Sequence, residues 1–385
     1  MKIGILTLPF NVNYGGILQA YAMQSYLNSK GHQVVFINRV PGRPDIVVVF
    51  KRLLSLCKCL FKKYVLLDKS VVISNPFAKI YLTKKYDDLD WGELRRFVSE
   101  NLHVSHALDT TNRVRSWVIS NQIDCIIVGS DQVWRDCYSP NVYNYFCDFV
   151  IGQKDIKKIA YAASFGVLDK PIPDYKLHKC IKLCRCFNNV SVREDSAIHY
   201  MEKVFGIRPE KVIDPTLLLT ASDYSPFLNV ETLVGEKYIA CYILNMTDEK
   251  MKIVELVRAR LGLKLRIISS EPQFNDTPFA PSIEQWLTTL ACSDFVVTDS
   301  YHGSLFSIQF HRQFLAITNL LRGNDRFISI LSDLGLEDRL VDSMESAVNS
   351  LEEITDINYS IVDSKLQKAR CQAELYLNAC LQSNP

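Results

Sequence analysis

The sequence predicts an α/β protein made of two Rossmann-like domains with parallel sheets that face each other across a cleft. Short β-prone runs alternate with helical segments along most of the chain, which is the pattern of parallel sheets with right-handed crossovers. The alternation starts at Lys2 and starts again near Lys237. A chain of 385 residues is also long enough for two domains. We therefore place the first domain at 1–225, with an insertion at about 40–108, and the second at 226–385.

The first series opens as a strand, a glycine turn, a helix that ends at Gly31, and a second strand. The predicted elements here are strand Lys2–Leu8, turn Asn13–Gly16, helix Ile17–Lys30 and strand Gln33–Ile37. Further along, the predicted strands are Asp124–Val128, Lys158–Ala162, Asn189–Val192 and Lys211–Ile213, with helices near 109–121, 174–186 and 194–205.

The second series continues the same alternation. Its predicted strands are 238–244, 264–269, 294–298 and 313–317, with helices near 248–261, 282–291, 303–311 and 326–334. A last helix, at about 364–382, follows this series. We expect that helix to pack back onto the first domain.

The segment Ile46–Leu67, inside the predicted insertion, is basic and amphipathic. On a helical wheel Lys51, Lys58 and Lys62 share one face, and a leucine-rich face lies opposite. This pattern is typical of helices that lie at a membrane surface, and equally of helices that pack their leucines onto a domain. We predict peripheral contact with a membrane or a lipid-linked acceptor, with packing as the alternative.

Composition and charge exclude several classes of protein. The net charge of +2 gives no general attraction to nucleic acid. No apolar run reaches the ~18 residues of a membrane span, and no cleavage site follows the apolar start, so we expect a cytoplasmic protein. The 12 cysteines are interpreted as buried apolar residues. Cys180, Cys184 and Cys186 lie close together in the sequence, but no second pair of zinc ligands accompanies them. We expect no metal and no cofactor.

Five polar motifs follow predicted strands, and ligands of open α/β sheets bind beyond the carboxyl ends of strands. The first motif contains Asn13, Gly15 and Gly16, whose turn and following helix N-terminus could bind an anion. Its spacing matches neither GxGxxG nor a Walker loop, and a tight turn needed for packing explains the same glycines. We expect these three residues to contact substrate, with packing as the alternative.

Two further motifs bring Ser130, Asp131 and Ser164 to strand ends. Asp131 either orients or deprotonates a substrate hydroxyl, or caps the turn that follows it. In the fourth motif Arg193 could bind a carboxylate or phosphate through two parallel hydrogen bonds, or pair with a neighbouring acidic residue. We predict Asp131 to be catalytic and the other three side chains to bind substrate.

The fifth motif is Thr298-Asp299-Ser300-Tyr301-His302-Gly303. His302 begins a predicted helix after a strand, where it could donate to a phosphate or act as a general acid. A purely structural role at the helix start is the alternative. We predict that His302 is catalytic and that Ser300, Tyr301 and Gly303 bind substrate.

These motifs carry a family resemblance. In order along the chain they read NYGGILQAYA, GSDQVW, YAASFG, SVREDS, DPTLLL, SIEQWL and TDSYHGSLFSIQF. Seven ordered motifs at this spacing resemble the polysaccharide pyruvyl transferase family, from Met1 to about Leu340. The resemblance implies a fold similar to GT-B glycosyltransferases. It also implies transfer of the enolpyruvyl unit of phosphoenolpyruvate to two hydroxyls of a sugar in a bacterial cell-surface polysaccharide or its lipid-linked precursor, with a cyclic ketal and phosphate as products.

By position, Arg193 matches a family arginine that binds phosphoenolpyruvate, and His302 matches the family's active-site histidine. The chain departs from the family pattern at one position: the family has arginine where this chain has Ser300. Arg322 and Arg326 are candidates to replace that cation. Two rival functions stay open: a GT-B-type glycosyltransferase that uses a nucleotide sugar, and a family member that binds glycan without catalysis.

Overall fold

The computed structural model describes most of the chain. The described residues are 1–42, 53, 54, 56–58, 60, 63, 91–166, 169–233, 235–269, 280–353 and 355–382. They form two separate parallel sheets. The strands are β1 (Lys2–Leu6), β2 (Gln33–Phe36), β3 (Cys125–Val128), β4 (Lys157–Ala163), β5 (Asn189–Val192), β6 (Glu210–Lys211), β7 (Tyr238–Tyr242), β8 (Lys264–Ile267), β9 (Phe295–Thr298), β10 (Gln313–Ile317) and β11 (Leu340–Val341).

The first sheet has six strands in the order β2-β1-β3-β4-β5-β6, and the second has five in the order β11-β10-β9-β7-β8. Neighbouring strands are parallel throughout. The helices are α1 (Tyr14–Ser29), α2 (Gly92–Asn101), α3 (Thr111–Ser120), α4 (Asp174–Cys184), α5 (Asp195–Tyr200), α6 (Ala221–Tyr224), α7 (Asp248–Leu261), α8 (Ile283–Ala291), α9 (Tyr301–Gln309), α10 (Asp325–Leu334), α11 (Met344–Glu353) and α12 (Tyr359–Gln382). The predicted fold class of two Rossmann-like halves is confirmed.

The first glycine motif differs from the sequence prediction. Helix α1 begins at Tyr14, so Gly15 and Gly16 lie in its first turn rather than in a turn before it. The helix starts early because the Asn13 side chain accepts a hydrogen bond from the Gly16 N–H at 3.0 Å, which satisfies one of the free amides of the first turn.

The two halves pack tightly through aromatic rings. Tyr14 of α1 stacks on Trp286 of α8 with ring centroids 5.5 Å apart. Its hydroxyl donates to the Pro281 carbonyl at 2.6 Å. Both rings are fully buried, so burial of apolar area and a satisfied hydroxyl together fix the position of one half against the other.

The last helix packs onto the first sheet, as the sequence predicts, although it begins at Tyr359 rather than near residue 364. The buried Lys157 ammonium of β4 donates to the Leu381 carbonyl at 2.9 Å, which caps the end of α12. The Tyr376 hydroxyl donates to the Ala160 carbonyl at 3.0 Å. The domain boundary at 225–226 lies between the two sheets and stays a prediction.

The predicted insertion at 40–108 is described only in part. Its final portion packs into the interior of the protein, because Leu94, Phe97, Leu102 and Leu108 are buried. Most of the segment at 46–67 lies outside the described residues, so its contact with a membrane stays a prediction. Within the described ranges, no helix combines the length and apolarity that crossing a bilayer requires.

Candidate active site

A cavity of about 270 Å³ lies between the carboxyl ends of the two sheets. We call it the cleft cavity. Its walls follow β1 and β3 of the first sheet and β7 and β9 of the second, the expected location for a ligand. The lining residues are Leu8, Pro9, Asn11, Val12, Asn13, Pro41, Asp131, Gln132, Tyr138, Leu244, Asp299, Ser300, Tyr301, His302, Arg322, Arg326 and Phe327.

Three helices begin at the cleft cavity. Asn13 caps α1, Ser300 caps α9 by accepting from the Gly303 N–H at 3.3 Å, and Arg326 lies in the first turn of α10. All three N-terminal ends reach the cavity wall. Because the N-terminus of a helix carries free N–H groups and a partial positive charge, this arrangement favours an anionic ligand.

His302 lies in the first turn of α9 and is held against α1. A Cβ built on Gly15 would lie 2.0 Å from Nδ1 of His302, so any larger residue at this position would collide with the imidazole. Gly303 has a similar constraint, since its Cβ would lie 2.3 Å from Oγ1 of Thr298. These glycines do not line the cavity. They allow the helix that carries His302 to approach its neighbours.

Asp214 connects His302 to Arg193. Its carboxylate oxygen Oδ2 lies 3.7 Å from His302 Nε2 and forms a close ion pair with the Arg193 guanidinium. Burial raises the pKa of Asp214, but the His302 ring and Arg193 outweigh that effect and lower it below its ordinary value. The Asp214 carboxylate therefore lies between the His302 imidazole and the Arg193 guanidinium.

The structure places Arg193 behind the cavity wall. Its side chain is 1% exposed, and Nη2 donates to Asp131 at 3.0 Å while Nη1 binds Asp214 and Ser130. The alternative of pairing with a neighbouring acidic residue is met by Glu194, whose Oε2 lies 3.8 Å from Arg193 Nε. Arg193 is surrounded by carboxylates and does not line the cleft cavity. Its predicted contact with substrate therefore stays a prediction, and its observed role is to hold Asp131 and Asp214.

Ser130 and Ser164 are also fully enclosed. The Ser130 hydroxyl contacts the Ala162 carbonyl at 3.2 Å. The Ser164 hydroxyl donates to Oε1 of Glu194 at 2.6 Å and accepts from the Gly166 N–H at 3.0 Å. Both serines organise the strand ends, and neither lines the cleft cavity.

Asp131 reaches the cavity as the sequence predicts, in an ionised state. Its Oδ1 lies 3.0 Å from Arg193 and 3.7 Å from Arg326. Burial raises its pKa, but the two guanidinium groups outweigh that effect, and the pKa is lowered. A carboxylate whose pKa is lowered is a weak base, which favours orienting a hydroxyl over deprotonating it.

Tyr301 separates the two buried arginines. Its ring lies 4.9 Å from the Arg193 guanidinium carbon and 5.3 Å from that of Arg326, distances of cation–π contacts. Burial lowers the pKa of Arg326, and the nearby Arg193 lowers it further. Arg326 Nε has no hydrogen-bond partner in the described part of the chain, and its side chain lines the cavity. Arg326 is therefore a cation that is incompletely satisfied without a ligand.

A second cation, Arg322, also lines the cavity. Its Nε donates to Oδ1 of Asn245 at 3.1 Å. Asn245 is held by Asp299, whose buried carboxylate accepts from the Asn245 N–H at 3.2 Å, from Lys250 Nζ at 2.6 Å and from Asn319 Nδ2 at 2.8 Å. Asp299 thus acts through Asn245 to position Arg322.

Among the ranges given above, no group of three or more His, Cys, Asp or Glu side chains is placed to hold a metal ion. In the cysteine cluster noted from the sequence, Cys180 and Cys184 are buried and Cys186 is exposed. Burial raises the pKa of Cys180 and of Cys184 to about 12, so these two thiols are protonated and pack as apolar groups.

A comparison with protein-family models decides the assignment. The model described as polysaccharide pyruvyl transferase matches residues 13–320, well over half of the chain. The chain belongs to the polysaccharide pyruvyl transferase family. It is therefore a member of a family of transferases that act in polysaccharide biosynthesis. No curated protein gives a significant match.

Solved structures support the GT-B-like fold of this pyruvyl transferase family member. The UDP-GlcNAc 2-epimerase from Neisseria meningitidis bound to UDP-GlcNAc has a TM-score of 0.54 at 8% identity, covering 100% of each chain. HepE from Anabaena in complex with UDP and glucose has a TM-score of 0.53 at 11% identity, covering 99% of each chain. At these identities the similarity shows the fold alone.

The structure brings together half of the site residues predicted from the sequence. Those that line the cleft cavity are Asn13, Asp131, Ser300, Tyr301, His302 and Arg326. Those that lie behind it are Gly15, Gly16, Ser130, Ser164, Arg193 and Gly303. The pyruvyl transferase match ends before Arg322 and Arg326. Asp214 was missed as a site residue, although its position just after a strand, like that of Asp131, was the signal that could have identified it.

Proposed function

We propose that this pyruvyl transferase family member moves the enolpyruvyl group of phosphoenolpyruvate onto two hydroxyls of a sugar, forming a pyruvate ketal. The acceptor is a sugar of a bacterial cell-surface polysaccharide or of its lipid-linked precursor. The observation that carries this proposal is the meeting of His302, Arg322 and Arg326 at one cavity, where three helix N-termini also converge.

The charges of the cleft cavity suit a small anion. Its two wall carboxylates have partners behind the wall: Asp131 pairs with Arg193, and Asp299 pairs with Lys250. Arg322 and Arg326 bring two guanidinium groups to the cavity wall beside these paired carboxylates. Arg326 takes over the anion contact that the family pattern assigns to the position of Ser300, whose hydroxyl caps α9 instead.

The reaction needs an acid, a route for hydroxyl protons and a place for phosphate. A proton adds to the methylene carbon of phosphoenolpyruvate, and positive charge develops on the central carbon. One sugar hydroxyl attacks that carbon and loses its proton. The bond from the central carbon to the phosphate oxygen then breaks, and the second hydroxyl closes the ring and loses its proton. Of the three protons involved, the one from the acid stays on the methyl group. Of the two released by the hydroxyls, one passes to the departing phosphate and the other returns, directly or through water, to the acid.

His302 is the group placed to supply the first proton. The Asp214 carboxylate, with Oδ2 3.7 Å from His302 Nε2, orients the imidazole for this transfer. Asp131 orients the attacking hydroxyl, since its ion pairs make it a weak base. Arg326 and Arg322 hold the carboxylate and phosphate of the donor, so that charge is stabilised without a metal or cofactor.

A donor screen tests the proposal. The purified protein is incubated with phosphoenolpyruvate and a panel of sugar acceptors, and phosphate release is followed, with nucleotide sugars as parallel donors. We expect release from phosphoenolpyruvate that depends on the acceptor. Release of nucleoside diphosphate from a nucleotide sugar, with phosphoenolpyruvate inert, would instead identify a glycosyltransferase. Inertness toward every donor would identify a glycan-binding protein.

We also propose peripheral contact between the segment 46–67 and a membrane at the cytoplasmic face, where a lipid-linked acceptor would lie. In the described part of that segment Leu53, Leu54 and Leu60 are exposed. Exposed leucines beside lysines are typical of interfacial helices.

A further inference from the structure

A second cavity, of about 310 Å³, lies on the other side of Tyr301 from the cleft cavity. We call it the lysine cavity. Tyr301 lines both cavities, whereas Arg193 and Asp214 line only the lysine cavity. Three elements enclose it: the chain after β6, the C-terminal half of α10 and the middle of α12. It therefore lies at the junction of the two sheets and the last helix, and among the described residues its lining shares only Tyr301 with that of the cleft cavity.

Among the described residues its lining carries four basic side chains and two carboxylates, Asp214 and Asp333. Lys365, Lys368 and Gln372 are spaced three and four residues apart, so they lie on one face of α12. Neither Lys365 nor Lys368 forms an ion pair within the described ranges. The third lysine, Lys211, is neutralised by Asp195 and Asp333, both at 2.7 Å. Two like charges on adjacent turns repel each other, and a bound anion removes that repulsion.

The base of the lysine cavity contains a buried cation. The Arg193 side chain is 1% exposed, and its Nε, 3.8 Å from Glu194 Oε2, has no hydrogen-bond partner in the described part of the chain. A buried donor that lacks a partner favours a ligand that can accept a hydrogen bond. The remaining wall is apolar. It is formed by Val212, Ile213, Ile330, Leu334, Leu366 and Ala369.

We propose that the lysine cavity binds a phosphate ester that carries a small apolar group. Lysine ammonium groups bind phosphate as point charges, and the aliphatic wall accommodates the organic part. The proposal does not depend on the identity of the transferase's donor.

Phenyl phosphate binding to purified protein, measured by calorimetry, tests the proposal. The background variant is Arg322→Gln/Arg326→Gln, which removes the two cations of the cleft cavity and leaves the lysine cavity intact. In this background we expect phenyl phosphate to bind more tightly than inorganic phosphate, because only the ester has an apolar group. Adding Lys365→Gln and Lys368→Gln should raise the Kd by at least about tenfold.

The control adds Lys182→Gln and Lys252→Gln to the same background. Both lysines are exposed and neither lines the lysine cavity, so the charge change is matched and the Kd should stay the same. Unchanged melting temperatures show that each variant folds, and Lys368→Gln alone, at an exposed position, should weaken binding in the same direction. The proposal would be overturned if inorganic phosphate bound as tightly as phenyl phosphate. It would also be overturned if phenyl phosphate still bound with unchanged affinity after loss of Lys365 and Lys368. A protein that failed to turn over phosphoenolpyruvate would not overturn the proposal, because the experiment measures binding alone.

Discussion

Gly15 and His302 are in direct contact across the two halves of the molecule: a Cβ on Gly15 would lie 2.0 Å from the imidazole Nδ1. Gly15 belongs to the first helix and His302 to a helix of the second half. The glycine is therefore required by a partner 287 positions along the chain, by the difference of the two numbers, and not by its own turn. Any side chain at Gly15 displaces the imidazole from Asp214.

Gly15→Ala should reduce turnover by about 100-fold, the scale expected when a general acid is misplaced. Steady-state rates of phosphate release check this. Because the effect acts through the imidazole, the double variant Gly15→Ala/His302→Ala should be no slower than His302→Ala. If the effects of the two substitutions multiply, Gly15 has a role that is independent of His302.

Arg326→Gln should raise the KM for phosphoenolpyruvate by roughly 10- to 100-fold, since a charge-assisted contact to the donor is lost. Arg208→Gln is the matched control, because the Arg208 side chain is 86% exposed and the substitution is identical. Initial rates over a range of phosphoenolpyruvate concentrations give the KM of each variant, and only that of Arg326→Gln should rise. A KM that is unchanged in Arg326→Gln would mean that the donor does not bind to this arginine.

Glu194 provides a pH-dependent test of the buried charges. Burial raises the pKa of Glu194 above its ordinary value, and the partial pairing with Arg193 does not offset this. The folded state then binds more protons than the unfolded state between the ordinary and the raised pKa, so its stability falls as pH rises through that interval. Glu194→Gln removes this dependence.

We therefore expect Glu194→Gln to gain free energy of unfolding relative to the wild type as pH rises from about 4 to 7. Urea unfolding at several pH values measures the difference. Asp214→Asn should behave in the opposite way, because the pKa of Asp214 is lowered: the native carboxylate stabilises the fold above about pH 4, and that contribution is lost on acidification. A constant difference between Glu194→Gln and the wild type would contradict the assigned direction.

The strand ends could be predicted from the sequence, whereas the direction of each side chain could not. Apolar runs located β3, β5 and β9, and so the polar residues after them, including Asp131 and His302. Arg193 also follows a strand, yet its guanidinium is held behind the cavity wall. It is held there by Asp131 and Asp214, which are distant in sequence, and by the adjacent Glu194. Such long-range pairing leaves no local pattern in the sequence. The early start of α1 was missed for the same reason. Gly15 and Gly16 indicated a turn, but Gly15 lies inside the helix because it contacts His302.

The segment 46–67 should bind vesicles that contain anionic lipid. Flotation at low salt measures the bound fraction, which should fall as salt rises because the attraction between charges is screened. Changing Lys51, Lys58 and Lys62 to glutamate should abolish binding, while Lys182→Glu, at an exposed position elsewhere, should have little effect. Wild-type protein that stays unbound with excess anionic lipid at low salt would exclude membrane contact.

In the proposed reaction His302 protonates phosphoenolpyruvate in the cleft cavity, and the pyruvyl carbon ends in a sugar ketal. Phosphoenolpyruvate labelled with ¹³C at the central carbon tests this directly by NMR. With wild-type protein and an accepted sugar, the enol carbon signal should convert to a ketal carbon signal. His302→Ala should slow the conversion by about 100-fold or more at an unchanged melting temperature. Conversion to free pyruvate alone, or an equal rate with His302→Ala, would contradict the account.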